Sequence, residues 1–243
     1  MTPVELPTPR TADRREVHEG LAYELWLPET PAPWPGVVIL HGAGSRKENH
    51  SDFARAAANA GWAAIAFDQR GHGQSDGEMS PAAASDPARM ARLLATNDGV
   101  DPARIVARGS SMGGFMAIHA AAVSDEIRGV IGICPAGEQG LARGLRRGEL
   151  EMRVADPTAL EAWLGEHDLR DAVELMGAKP LLLIHARGDE SIPYTWSKEL
   201  YERAAEPRKL ILLPGGHHRS AQHDLELHGV ALRWMERALA GRT

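Results

Sequence analysis

A short apolar run, Ile105-Val106-Ala107, meets a segment rich in helix formers, Phe115-Met116-Ala117-Ile118, across Gly109-Ser110-Ser111-Met112-Gly113. A chain that reverses from strand to helix within two or three residues forces the residue at the bend into strained backbone angles. Its flanking positions must be small, because a Cβ there would strike the strand or the helix. In the G-x-S-x-G register the residue at the bend is Ser111, flanked by Gly109 and Gly113. Ser110 would need glycines where Arg108 and Met112 stand. Such a turn lifts the Ser111 hydroxyl above the carboxyl ends of a sheet, where a base can approach it. A glycine-rich helix cap is the plain alternative, and partners elsewhere in the chain decide between the two.

The residues up to about Asp13 are proline-rich and aperiodic and read as a loose leader. Glu16–Leu27 alternates and suits a hairpin at a sheet edge. Val37–Leu40, Trp62–Phe67, Ile105–Ala107, Val130–Ile133, Leu181–His185 and Leu210–Leu213 are continuous apolar runs, as strands covered on both faces require. Helical stretches at Phe53–Ala60, Pro87–Thr96, Met112–Val123, Tyr194–Ala205 and Leu225–Ala240 separate most of them. That alternation implies right-handed crossovers, a mostly parallel central sheet with helices on both faces, and one α/β domain over residues 1–243. The stretch 136–178 is longer than an ordinary crossover and reads as a short lid-like insertion, with a plain pair of surface helices as the alternative.

Composition narrows the class. A net charge of -6 argues against non-specific nucleic-acid binding and against a basic membrane surface. A single cysteine excludes an internal disulfide, and no apolar run approaches the roughly 20 residues of a membrane span. With no secretory pattern at the N-terminus, a cytoplasmic protein is expected. The oligomeric state is left open.

Acyl-transfer chemistry at Ser111 needs a base, an orienting acid and donors for an oxyanion, all at the carboxyl end of the sheet. Past Leu181–His185 lies Arg187-Gly188-Asp189-Glu190, where Asp189 sits just beyond the strand and Glu190 one residue further. Past Leu210–Leu213 lies Gly215-Gly216-His217-His218, which offers two histidines. Past Val37–Leu40 lies His41-Gly42-Ala43-Gly44, small enough for the backbone to pass a substrate carbonyl. The amides of Ala43 and of Met112, the residue after the serine, are the candidate oxyanion donors. A lone aspartate in a turn is ordinarily turn chemistry. Three such residues past three strand ends make a stronger pattern.

Together with Arg70-Gly71-His72-Gly73-Gln74-Ser75, these motifs resemble the α/β-hydrolase superfamily from about Val37 to His218, and within it the small cinnamoyl and feruloyl esterases. The resemblance implies a Ser111–Asp189–His218 triad, with the base on His218 rather than His217. It also implies a lid between Pro135 and Lys179, no metal and no organic cofactor. The expected activity is hydrolysis of a small carboxylic ester through an acyl-enzyme, the substrate being its small-molecule partner. A peptidase or thioesterase of the same fold is the near alternative, and a non-catalytic binding protein the distant one. A dinucleotide site fails because Asp76 stands at the third glycine position after Gly71 and Gly73. The histidines 217, 218, 223 and 228 lack the H-E-x-x-H pattern of a zinc site. Asp68-Gln69-Arg70 reads as a structural turn, and Cys134 as a buried small residue.

Overall fold

The apolar runs pair into one eight-stranded sheet in the computed structural model, which describes residues 10–242. The strands are β1 (Arg14–His18), β2 (Leu21–Trp26), β3 (Trp34–Leu40), β4 (Ala63–Phe67), β5 (Val100–Ser110), β6 (Val130–Ile133), β7 (Leu181–Ala186) and β8 (Arg208–Leu213). Their spatial order is β1-β2-β4-β3-β5-β6-β7-β8. The β1–β2 hairpin joins β4 antiparallel at one edge, and every other pair is parallel. The helices are α1 (Ser51–Asn59), α2 (Asp86–Ala95), α3 (Met112–Val123), α4 (Glu138–Arg147), α5 (Pro157–Gly165), α6 (Leu169–Leu175), α7 (Tyr194–Arg203) and α8 (Leu225–Leu239).

Period-two alternation sorts each central strand between two cores. On β3, Val37 and Ile39 face Phe53 of α1 and Leu232 and Met235 of α8. Val38 and Leu40 face Leu94 of α2 and Phe115 and Ile118 of α3. The three helices of the 136–178 stretch, α4 to α6, lie between β6 and β7 and bury Leu141, Leu160 and Leu169 on this second face. Among the described residues, no helix is long and apolar enough to cross a membrane.

Several boundaries differ from the sequence expectation. β5 begins at Val100 rather than Ile105, because Val100 pairs with Trp34 ahead of a register shift to Gly36–Ile105. The polar residues 101–104 bridge that shift, so no apolar run announces them. β8 extends back to Arg208, paired with Leu181. Residues 1–9 of the expected leader lie outside the described residues. Its described end is anchored: Arg10 donates to the Leu27 carbonyl at 2.7 Å, and Asp13 accepts the Leu27 N–H at 2.7 Å.

The turn after β4 is built on a buried ion pair. Asp68 is fully buried and Lys47 is 3% exposed, with 2.8 Å between Lys47 Nζ and Asp68 Oδ2. Asp68 also accepts the backbone N–H groups of Lys47 and Gln74, each at 2.8 Å. Burial pushes its carboxyl up, but these hydrogen bonds and the ammonium prevail and hold it below its ordinary value. At Gly73 any Cβ would overlap the Asp68 carboxylate, which accounts for the glycine. Removing one partner of such a pair leaves a buried charge uncompensated, at a cost of about 3–5 kcal/mol. Lys47→Met is therefore expected to lower the denaturant midpoint strongly. A midpoint unchanged in urea titration would show that the pair does not hold this turn.

Candidate active site

β5 ends at Ser110 and α3 starts at Met112, so the whole reversal falls on Ser111. Its backbone sits at φ 53°, ψ -120°, a conformation that costs a non-glycine residue of order 1–3 kcal/mol. The bend closes only because its flanks lack side chains. A Cβ on Gly109 would overlap the Gly113 carbonyl, and one on Gly113 would overlap the carbonyls of Leu40 and His41. Ser111 is tied down on both sides: its N–H donates to the Ile133 carbonyl at 3.0 Å, and its carbonyl accepts from Ala136 N–H at 3.0 Å.

Asp189 lies past β7 and His218 past β8, and the structure brings them together. His218 Nδ1 donates to Asp189 Oδ2 at 2.7 Å. The other carboxylate oxygen, Oδ1, accepts the N–H groups of Ser191 at 2.9 Å and Ile192 at 2.8 Å. Burial pushes the Asp189 carboxyl up, but hydrogen bonds from His185, His218 and Ile192 outweigh it and drive the group far below the ordinary carboxylate range. Glu190 instead accepts the His218 backbone N–H at 3.2 Å. The His217 ring is exposed and, among the described residues, accepts only the Arg219 N–H, at 3.3 Å.

Ser111 and His218 line one cavity of about 350 Å³ together with Gly42, Ala43 and Gly44. No hydrogen bond links Ser111 to His218, whose ring remains tied to Asp189. Met112 opens α3, so its N–H belongs to the unsatisfied donors of a first helical turn. Gly42 lies so close to the serine that an added Cβ would stand 3.3 Å from Ser111 Cβ. The loop holding Ala43 is braced from behind by buried His41. His41 Nε2 accepts the Gln69 N–H at 3.0 Å, while Gln69 Nε2 donates to the His41 carbonyl at 2.6 Å.

His185 and Arg108 escape sequence reading, and Cys134, expected as a buried small residue, stands with them at the site. Buried His185 approaches Asp189 Oδ2 at 3.2 Å through Nε2, and its Nδ1 meets Ser197 Oγ at 2.7 Å. Cys134 is buried, and its sulfur, an Asp189 oxygen and a His218 nitrogen lie within 4.8 Å of one another. Burial, with the Asp189 carboxylate adding to it, pushes the Cys134 thiol up to about 12, which keeps it protonated.

Arg108 is wholly buried three residues before the serine. One of its nitrogens donates to His50 Nδ1 at 2.7 Å, another to the Gln222 carbonyl at 2.9 Å, and its guanidinium lies 4.9 Å from the Phe53 ring centre. Gln222 follows His218 by one helical turn of sequence and donates its side-chain amide to the His218 carbonyl at 3.4 Å. The strand that carries the serine therefore grips the loop that carries the histidine. Of the other histidines considered for zinc, His223 pairs with Asp52 at 2.8 Å and buried His228 bonds the Gln222 carbonyl at 2.9 Å. The four do not converge on a common point among the described residues.

Residues 32–174 match the family model Hydrolase_4, described as serine aminopeptidase, S33. The protein YfhR of Escherichia coli O157:H7 is 28% identical over 239 residues, covering 90% of this chain and 77% of its own length. Est1E from Butyrivibrio proteoclasticus matches with a TM-score of 0.74 at 22% identity, over 95% of this chain and 100% of its own. The alpha/beta hydrolase GrgF from Penicillium sp. sh18 matches with a TM-score of 0.76 at 18% identity, over 90% of this chain and 94% of its own. At these identities the two structural likenesses establish the fold.

Three buried histidine rings set an acid limit to stability. Burial lowers His41 and His119 to about 4 and His50 well below the usual 6.5, so all three fold neutral. Unfolded, they take up protons as pH drops below 6.5, while in the folded protein His41 and His119 do not until near 4 and His50 stays neutral well below 6.5. Stability is thus complete above 6.5 and declines toward 4, at up to about 1.4 kcal/mol per pH unit for each histidine. Thermal melts should show Tm falling steadily between pH 6.5 and 4.5. A flat Tm over that window contradicts the neutral folded rings.

Proposed function

This chain belongs to the Hydrolase_4 family (serine aminopeptidase, S33) and has the α/β-hydrolase fold; on that premise we propose that it cleaves a small carboxylic ester through an acyl-enzyme on Ser111. The observation that carries this reading is the 2.7 Å contact of Asp189 with His218 beside a cavity that Ser111 shares. His218 Nε2 takes the Ser111 proton as the hydroxyl attacks the ester carbonyl, a contact that tightens when substrate binds. Asp189 holds the Nδ1–H tautomer and stabilises the imidazolium. The N–H groups of Ala43 and Met112 receive the oxyanion, each donor worth about 2.7–4 kcal/mol in such sites. His218 then returns its proton to the leaving alcohol and activates the water that frees the acid.

The helices α4 to α6 act as a short lid over this single domain, because α4 walls a cavity onto which Ser111 opens. The chemistry calls for no metal, no organic cofactor and no nucleic acid or membrane partner. With its single cysteine, the protein suits the cytoplasm. The family's description favours amide hydrolysis as the second reading. Aminoacyl p-nitroanilides assayed beside p-nitrophenyl acetate separate the two.

Ser111→Ala and His218→Ala are each expected to abolish p-nitrophenol release while folding normally, with the double variant no worse than either single one. Asp189→Asn, which favours the wrong tautomer, is expected to lower kcat by about 10⁴, as in serine protease triads. His217→Ala is expected to lose roughly tenfold or less. Full activity of Ser111→Ala defeats the proposal, and an inactive His217→Ala beside an active His218→Ala exchanges the two histidines.

A further inference from the structure

Ser111 also opens onto a second, larger cavity of about 910 Å³, bounded by α4 and by the start of α7. His218 lines the first cavity and not the second. In the proposed reaction His218 protonates the leaving alcohol, so the alcohol must lie on its side and the acyl group on the other. The larger cavity is therefore the acyl site, an assignment that rests on the serine-hydrolase reading above.

Helix α4 begins beside the serine, since Ala136 N–H donates to the Ser111 carbonyl at 3.0 Å, and it runs away along the cavity wall. The α4 residues lining the cavity include Gly140, Arg143, Gly144 and Arg147, spaced three and four apart on one face. Gly140 has no packing reason to be glycine, because a Cβ there would meet nothing within 4 Å. Gly140 stands in the first turn of α4 and leaves open space on the cavity wall. Arg143 stands one turn further, roughly 9 Å along the axis from Gly137 at 1.5 Å per residue.

The charges around this cavity are otherwise accounted for. Arg170 is held by Asp168 at 2.5 Å and reaches Glu199 at 3.5 Å. Arg147 faces Glu149 at 3.7 Å, and buried Glu138 accepts the Leu169 N–H at 3.3 Å. Arg143 has no ion pair or hydrogen bond among the described residues. Between it and the serine the opposite wall offers the apolar surfaces of Ile192, Pro193 and Trp196. A cavity of mixed apolar and polar lining that holds a nucleophile and an unpaired guanidinium on its wall matches an acyl chain with a carboxylate at its far end. A guanidinium takes such a group bidentately.

We propose that Arg143, seconded by Arg147, selects esters whose acyl chain ends in a carboxylate, that is, half-esters of dicarboxylic acids. The test compares p-nitrophenyl hydrogen adipate with neutral p-nitrophenyl hexanoate. The readout is the ratio of their kcat/KM values, in the wild type and in Arg143→Gln, Arg143→Gln/Arg147→Gln and Arg146→Gln. Arg146 pairs with Glu161 and does not line the cavity, so it controls for the loss of one positive charge. The wild type should favour the adipate, and Arg143→Gln should lower the ratio at least tenfold, the double variant further, and Arg146→Gln not at all. Raising ionic strength should lower the wild-type ratio and leave that of the double variant flat. A wild-type ratio below one, or a ratio that Arg143→Gln leaves unchanged, overturns the inference while Ser111-dependent hexanoate turnover upholds the hydrolase reading. Absence of Ser111-dependent turnover of either ester overturns both.

Discussion

Three backbones meet at Ser111 with no room for a side chain between them. The end of β5, the first turn of α3 and the loop leaving β3 approach so closely that a Cβ on Gly109 or Gly113 would overlap a carbonyl oxygen. The same crowding holds Ser111 at φ 53°, a conformation the residue would leave if the helix could shift. It cannot, because α3 is buried almost end to end, with Phe115, Ala117 and Ile118 wholly enclosed. The position of the hydroxyl is thus set by the packing of the whole second face of the sheet. The strain is local, but the stabilisation opposing it is spread over that core.

The polar groups around the serine are fixed by saturation. Asp189 offers two oxygens and fills both, one with two backbone N–H groups and the other with histidine nitrogens. Such a carboxylate neither rotates nor takes up a proton near neutral pH, so it holds one tautomer of His218. Arg108 works by a different balance. Burial lowers it to about 10, still charged at neutral pH, and in place of a carboxylate it has a carbonyl, an imidazole nitrogen and an aromatic face. A buried charge on neutral partners is costly unless its geometry is kept. That cost binds the loop of His218 to the strand of Ser111.

The fold was legible because central parallel strands announce themselves as apolar runs, and Val130–Ile133 agrees residue for residue. Boundaries drifted where tertiary pairing overrode composition, as in the polar start of β5. Spacing past the strand ends was enough to single out Ser111, Asp189 and the two histidines of the last turn. Position placed Asp189 ahead of Glu190, which lies one residue further into the loop, and the folded turn gives Asp189 the His218 ring and Glu190 only the His218 backbone N–H. Arg108, His185 and Gln222 left no periodic trace. One arginine in an apolar run reads as an interruption, and one histidine at a strand end reads as its last residue. Asp189 and His218 lie only 4 residues from His185 and Gln222, but Ser197, His50 and the Gln222 carbonyl lie 12, 58 and 114 residues from the side chains they hold, separations that no local pattern spans.

The crossover from β6 to β7 carries a different kind of information from the strand ends. Positions beside the serine are constrained by carbonyl contacts and by a saturated carboxylate, and almost any change there disturbs the geometry. The cavity face of α4 is less constrained: a Cβ on Gly140 would meet nothing within 4 Å, and Arg143 has no ion pair or hydrogen bond among the described residues. Residues that a fold needs are held by neighbours within the molecule. In our proposal Arg143 is completed instead by a carboxylate from outside the chain.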